Sequence, residues 1–320
     1  MAKKESQKTM FEHSEVKVKL LETYLKRYFN ILNNAQFVGD IHYFDLFSAE
    51  GIYENGGKGS PIIVLESIKN AYYAAKYKKG QSGKFHCLFN DLDENKITTL
   101  QKNISNLKLH NSELGEIDFS QKDYKFLVPE VSKRINELKK GEKAFVFIDP
   151  YGYKEVRISD IRSLLQKGNS EVLLFLPTHF MFRFVEGGTP ESLYEFIEEI
   201  VPKKEWPKSV TGLDFIENLK NGFKNYLGEK IFVDTFVISR DKNQFFCLFF
   251  FTSHIYGFDR MLDAKWELDE EQGRGWAFNS NIVDLFSALE KEPNTQKFEN
   301  ELKVFIKGNN RNNKKFMSLL

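Results

Sequence analysis

Apolar residues at Val16, Leu20, Tyr24, Tyr28 and Ile31 recur every three to four positions behind Ser14. This spacing lines one face of a helix, with Ser14 placed to cap its start. Downstream, short apolar runs alternate with helical ones: Ile41 to Phe47, Ile62 to Tyr77, Phe85 to Phe89, Glu94 to Leu107, Ile117 to Phe119, Phe126 to Leu138, Ala144 to Ile148, Ser159 to Gln166 and Val172 to Leu176. The first, second, fourth and fifth strand runs are short and largely apolar, as strands buried on both faces must be. The alternation predicts a doubly wound parallel sheet.

The pattern then changes. A loop with Gly187 and Gly188 is followed by helical runs near Pro190 to Ile200 and Gly212 to Leu227, then by two long strand runs, Ile231 to Ser239 and Gln244 to Ser253. Only Arg240-Asp241-Lys242-Asn243 separates those strands, so they form an antiparallel hairpin. Beyond Trp266 an acidic run (Glu267, Asp269, Glu270, Glu271) leads to Gly273 and Gly275. A boundary is expected there, giving a main unit over 1–275 and a small α-rich C-terminal region over 276–320. That region carries helical patterns at Ile282 to Leu289 and Phe298 to Ile306, and a fresh apolar start at Phe316 to Leu320, as of a helix that would continue. Its Lys303, Lys307, Arg311, Lys314 and Lys315 face only Glu301, either as a solvated helix face or as a contact for nucleic acid.

Composition narrows the function classes. Of 320 residues, 41% are hydrophobic and 28% charged, near globular averages. No apolar run reaches the ~18 residues of a membrane span. The start MAKKESQKTM has no apolar segment after its basic residues, so a secretory signal is not expected and cytoplasm is the default. Cys87 and Cys247 each lie inside an apolar strand-like run, arguing for core thiols and against a disulfide framework or a metal site. A net charge of +1 supplies no global field for nucleic acid, so any such binding must be local. The 31 Phe residues read as the compositional bias of an AT-rich genome before a stacking surface.

Candidate chemistry gathers at the carboxyl ends of the strands. Strand one ends in Asp45-Leu46-Phe47-Ser48-Ala49-Glu50-Gly51, a loop of mostly small residues where backbone can approach a ligand, or an ordinary strand-to-helix turn. At the end of strand two, Asp91 is placed to accept both hydroxyls of a ribose, and Asp93 to cap the next helix. Asp123, after strand three, either meets an adenine amine or caps a helix before Tyr124. Strand four ends in Phe147-Ile148-Asp149-Pro150-Tyr151-Gly152. A carboxylate, a proline carbonyl and an aromatic ring there can accept two hydrogen bonds from a planar amino group and stack on its ring. Asp-Pro is also a common turn initiator. His179 and Arg183 leave strand five on the same edge as candidate substrate contacts, although a lone His there is often structural.

The motif at Asp149 resembles the D-P-P-Y signature of amino methyltransferases acting on adenine or cytosine, here in the order D-P-Y-G. Together with His13-Ser14-x-x-Lys17, Tyr43-Phe44-Asp45-Leu46-Phe47-Ser48, Gly59-Ser60-Pro61 and the stretch Met261 to Trp266, it makes the chain similar, over about 13–320, to the three-Cys-motif partner protein family, TcmP. The resemblance implies an α/β, Rossmann-like class I methyltransferase fold: a mostly parallel seven-stranded sheet ending in an antiparallel hairpin, followed by a small winged-helix-like region. It also implies a partner protein often encoded nearby.

On this reading S-adenosylmethionine is the cofactor, held by Asp45, Phe47, Ser48 and Gly51 at its methionine end, Asp91 at ribose and Asp123 at adenine. Asp149, Pro150 and Tyr151 are catalytic, Lys17, His179 and Arg183 contact substrate, and a nucleobase amino group in nucleic acid is the expected acceptor. The loop departs from the usual F-x-G-x-G in having Ala49 for the first glycine, and Glu50 adds a carboxylate. Alanine is accommodated there at negative φ but narrows a ligand's approach. The alternative is a catalytically silent partner or scaffold protein of a bacterial or phage complex, with a role in defence.

Overall fold

The computed structural model describes residues 12–35, 39–187, 191–200, 209, 211–241, 244–269 and 275–277. The tail patterns after Ala277, including the basic cluster, lie outside the described residues, as do Lys242 and Asn243 of the hairpin connection and Gly188.

Besides one short 3-10 helix (Tyr153–Glu155), nine α-helices and eight strands are described. In chain order they are α1 (Glu12–Asn34), β1 (Ile41–Asp45), α2 (Ser60–Lys79), β2 (Phe85–Asn90), α3 (Glu94–Asn106), β3 (Gly115–Ser120), α4 (Tyr124–Glu137), β4 (Lys143–Ile148), α5 (Ile158–Leu165), β5 (Ser170–Leu176), α6 (Thr178–Gly187), α7 (Glu191–Ile200), α8 (Gly212–Leu227), β6 (Phe232–Asp241), β7 (Gln244–Thr252), α9 (Ile255–Leu268) and β8 (Gly275–Ala277). The sheet order is β3-β2-β1-β4-β5-β7-β6-β8. The first five strands are parallel, and β7 runs antiparallel to both β5 and β6.

Burial explains the strand sequences. Every residue of β5 is buried, and so is all of β4 except Lys143, because helices cover both faces of the sheet. On one face α1, α2, α3 and α9 enclose a core that includes Tyr24, Phe29, Tyr43, Phe145 and Phe250. On the other, α4, α5, α7 and α8 pack on Val146, Leu174, Phe249 and Phe251. The phenylalanines are spent mainly there: among the described residues only Phe126 and Phe180 are strongly exposed. Both cysteines are free, buried and pushed well above the ordinary thiol range by burial.

Several expectations change. The sheet has one strand more than the seven expected, since β8 pairs with β6 at Val237 to Ser239. The helix that begins at Glu12 takes Ser14 into its first turn, where it is buried and not its cap, because Val16, Leu20 and Tyr24 draw the whole segment onto α2 and the sheet. The segment after β5 is helical at once, as α6, with Thr178 and His179 turned inward against the Phe245 carbonyl. The helix α9 was visible only as the stretch Met261 to Trp266. It is locked to β6 by a buried pair, Lys265 Nζ to Asp234 Oδ2 at 2.7 Å. No described helix is long and apolar enough to cross a membrane.

Candidate functional site

A cavity of about 240 Å³ opens at the carboxyl ends of β1, β4 and β5 and is roofed by α1. Its wall includes Lys17, Ser48, Gly51, Tyr53, Lys96 and Asp149 to Tyr151. The elements converge because parallel strands all deliver their carboxyl-end loops to one edge of the sheet.

The β1 loop is built by its own hydrogen bonds. Asp45 is fully buried; its Oδ2 accepts from Ser60 Oγ at 2.6 Å and its Oδ1 from the Phe47 amide at 3.3 Å. Asp45 therefore ties the loop to the start of α2, and Ser60, not Asp45, reaches the cavity wall. Burial pushes the Asp45 carboxyl up to about 7 against those two hydrogen bonds, with the nearby Asp149 charge adding to the rise.

Ala49 adopts φ +50°, so the residue in place of the usual glycine takes the left-handed conformation a glycine would. Gly51 has φ +77°, and a Cβ there would come within 2.6 Å of Leu100 Cδ1 and 3.2 Å of Ile62 Cγ1. The loop thus needs glycine at Gly51 both for backbone and for space. Ser48 donates to the Asn90 carbonyl through its amide at 2.7 Å and its Oγ at 3.1 Å. The Asn90 side chain donates in turn to the Leu46 and Lys122 carbonyls and accepts from the Lys122 amide, joining the loops after β1, β2 and β3.

The Asp149-Pro150-Tyr151 turn follows β4. Lys17 of α1 is ion-paired with Asp149 Oδ2, and both line the cavity. Burial works against the Lys17 ammonium, but Asp149, with smaller help from Tyr53 and Asp45, outweighs it and holds the group above its ordinary value. The same ammonium lies 4.5 Å from the Phe175 ring centroid. Asp149 Oδ1 has no hydrogen-bond partner among the described residues. Phe175 and Phe246 stack at 5.5 Å, and His13 stacks on Phe246 at 4.4 Å, making an aromatic wall beside this turn.

Asp91 is 3% exposed at the end of β2 and does not line the cavity. Its Oδ1 accepts from the Asp93 amide at 2.9 Å, and its Oδ2 lies 3.4 Å from Lys96 Nζ and accepts from the Tyr151 hydroxyl at 3.5 Å. Tyr151 is held above the ordinary phenol range by burial and by the Asp91 and Asp149 charges. Asp93 caps α3, accepting from the Asn95 amide.

Of the remaining candidates, Phe47 and Lys17 line the cavity, and Asp123, His179 and Arg183 do not. Asp123 is half-exposed and caps α4, accepting from the Lys125 amide. His179 is buried, with Nδ1 3.0 Å from the Phe245 carbonyl, and Arg183 is exposed on α6; neither lines the cavity. Phe47 lines it and stacks on Tyr124 at 5.3 Å. Lys17, expected to contact substrate, lines the cavity and is paired there with Asp149. Sequence reasoning missed Tyr53, Lys96 and the aromatic pair Phe175 and Phe246. The only local signal was for Lys96, a cation in the first turn of α3 where the helix field disfavours it.

The strand order, with a parallel sheet closed by an antiparallel β6–β7 hairpin and a loop site at its carboxyl edge, defines a Rossmann-like class I methyltransferase fold. No family model matches the chain, and no curated protein does.

Among solved structures the chain is similar to the methyltransferase domain of bacterial CtHen1-CN, at 11% identity and a TM-score of 0.35 over 73% of this chain and 99% of that one. It is similar to loganic acid methyltransferase with SAH, at 11% identity and 0.31 over 87% and 89%. A third likeness is to the type I restriction-modification system methyltransferase subunit from Streptococcus thermophilus, at 7% identity and 0.33 over 78% of this chain and 46% of that one. No residue role transfers at such values.

Proposed function

We propose that this chain is an S-adenosylmethionine-dependent methyltransferase acting on the amino group of a nucleobase in nucleic acid. The observation that carries the reading is the pairing at one cavity of the Asp149-Pro150-Tyr151 turn with the β1 loop, whose Ala49 and Gly51 both take left-handed backbone. Lys17 fixes one oxygen of Asp149, so Oδ1 and the Pro150 carbonyl remain for the two hydrogens of a planar amine. Phe175 and Phe246 give a flat apolar wall for its ring. When bound, the cofactor supplies a methyl group already activated on a sulfonium. The protein's own task is then to orient the amine nitrogen in line and exclude water. Asp91, buried beside the cavity, is the carboxylate suited to a ribose.

A second reading is favoured by the two internal ion pairs, Lys17 with Asp149 and Lys96 with Asp91, which give each site carboxylate a cation from within the chain. It makes the fold a platform for a partner protein, in keeping with the resemblance to three-Cys-motif partner proteins. Calorimetric titration with S-adenosylmethionine separates the two. Micromolar binding, followed by transfer of labelled methyl groups to DNA or RNA that Asp149→Ala abolishes, is the outcome expected of the enzyme. A folded protein that binds no cofactor is the platform. Full methyl transfer by Asp149→Ala removes Asp149 from catalysis.

A further inference from the structure

Asp91 is separated from the cavity by two side chains that do line it, Lys96 and Tyr151. The Lys96 ammonium donates to the Tyr151 hydroxyl, lies 4.7 Å from the centroid of that ring, and lies 3.4 Å from Asp91 Oδ2. Both oxygens of Asp91 are thereby taken, one by its own turn and one by the Lys96 and Tyr151 pair. The cavity left on the open side, about 240 Å³, is below the ~300 Å³ from which small-molecule sites ordinarily start. The Lys96 charge does not favour the helix it belongs to: it occupies the first turn of α3, where the exposed amides repel a cation. Its ammonium meets Asp91 and Tyr151.

We propose that Lys96 and Tyr151 form a latch over Asp91, which a ribose diol must displace, so that the nucleoside end of the cofactor binds first and frees Tyr151 for the amino substrate. The inference rests on the ribose role given to Asp91 above. Lys96 is a positioning residue: it acts by holding Tyr151 and Asp91 together. A ribose competes for Asp91 Oδ2 with donors already in place, and its apparent affinity is reduced by the fraction of molecules in which the latch is open. Without the Lys96 ammonium, Asp91 is a desolvated carboxylate short of donors, and the two ribose hydroxyls restore what it lost. Removing a cation from the wall of the site therefore strengthens binding, the opposite of what loss of a structural ion pair does.

The test is calorimetry of adenosine, 2′-deoxyadenosine and S-adenosylhomocysteine against the full chain and three variants. Lys96→Met is expected to bind adenosine and S-adenosylhomocysteine about tenfold more tightly, as for a latch open in a tenth of the molecules. The gain should be much smaller for 2′-deoxyadenosine, and Lys96→Arg should keep the original affinities. Tyr151→Phe, which removes only a hydroxyl from a partly exposed ring, should gain in the same direction by less, and stands in if Lys96→Met does not fold. Original or weaker affinity in the folded variants, or an equal gain for the deoxynucleoside, overturns the latch while leaving the cofactor reading intact. If neither the original chain nor any variant binds an adenosyl compound, the cofactor reading fails and the latch with it.

Discussion

Lys17, near the start of α1, forms an ion pair with Asp149, which lies 132 positions further along at the end of β4. The pair links the N-terminal helix to the turn that carries the candidate amine site. Its side chains are 7% and 21% exposed, so water still reaches the carboxylate. Breaking a dry pair by removing one partner costs ~3–5 kcal/mol. With Asp149 partly hydrated, Lys17→Met should cost about 2 kcal/mol by urea denaturation. Adding Asp149→Asn should restore part of that loss, since the stranded charge is then gone. A double variant no more stable than the single one would show that Lys17 holds something other than Asp149.

Ala49 and Gly51 both have positive φ, yet substitution should act in opposite directions. Ala49→Gly relieves ~1–2 kcal/mol of left-handed strain. Glycine's extra freedom in the unfolded chain takes back ~0.4–1 kcal/mol. The net expectation is a gain of between about 0 and about 1.6 kcal/mol. Gly51→Ala adds that strain and forces a Cβ against Leu100 and Ile62, so a loss of about 2–4 kcal/mol is expected. Melting temperatures of the two variants check both signs.

Asn90 makes three hydrogen bonds from one buried amide, to Leu46 and Lys122. Asn90→Ala leaves those loop groups to find other partners, at a cost of about 3 kcal/mol. Amide hydrogen exchange should quicken first at Lys122, whose N–H is the donor that loses its acceptor. Unchanged protection there would mean the loops are held without Asn90.

Glu171 is buried beneath α9; its carboxyl is pushed up to about 7 by burial, against hydrogen bonds from Tyr24 and from Thr252 Oγ1 at 2.9 Å. A folded-state value above the ordinary carboxylate range means the folded chain holds the proton more tightly. The contribution is full below pH ~4.5 and is lost as pH rises through about 7. Glu171→Gln stays neutral throughout. The stability of the original chain relative to this variant should therefore fall between about pH 5 and pH 8 in urea melts. Asp45, raised to about 7, leaves a residual slope of the same sign in both proteins. A constant difference would mean that Glu171 does not titrate in that window.

What the sequence by itself determined is most of what depends on neighbours along the chain, the cap at Ser14 excepted. The apolar runs at Ile41, Phe85, Ala144 and Val172 announced buried parallel strands, because apolar residues dominate them, with His42 and His86 the only polar residues inside the first two before their carboxyl ends. Asp93 was legible as the cap of α3, and Gly212 to Leu227 as a helix to its exact ends, since capping and helical period are local. The site's general position followed from the strand order. The tertiary structure alone decided which charges meet. Lys17 reaches Asp149 across 132 positions, and Lys96 meets Tyr151 across 55, because sheet register and helix packing set those distances and no local pattern encodes them. It also decided that Ala49 takes positive φ, which the hydrogen bonds of Ser48 to the Asn90 carbonyl and the packing of Gly51 on α2 and α3 impose on the chain between them.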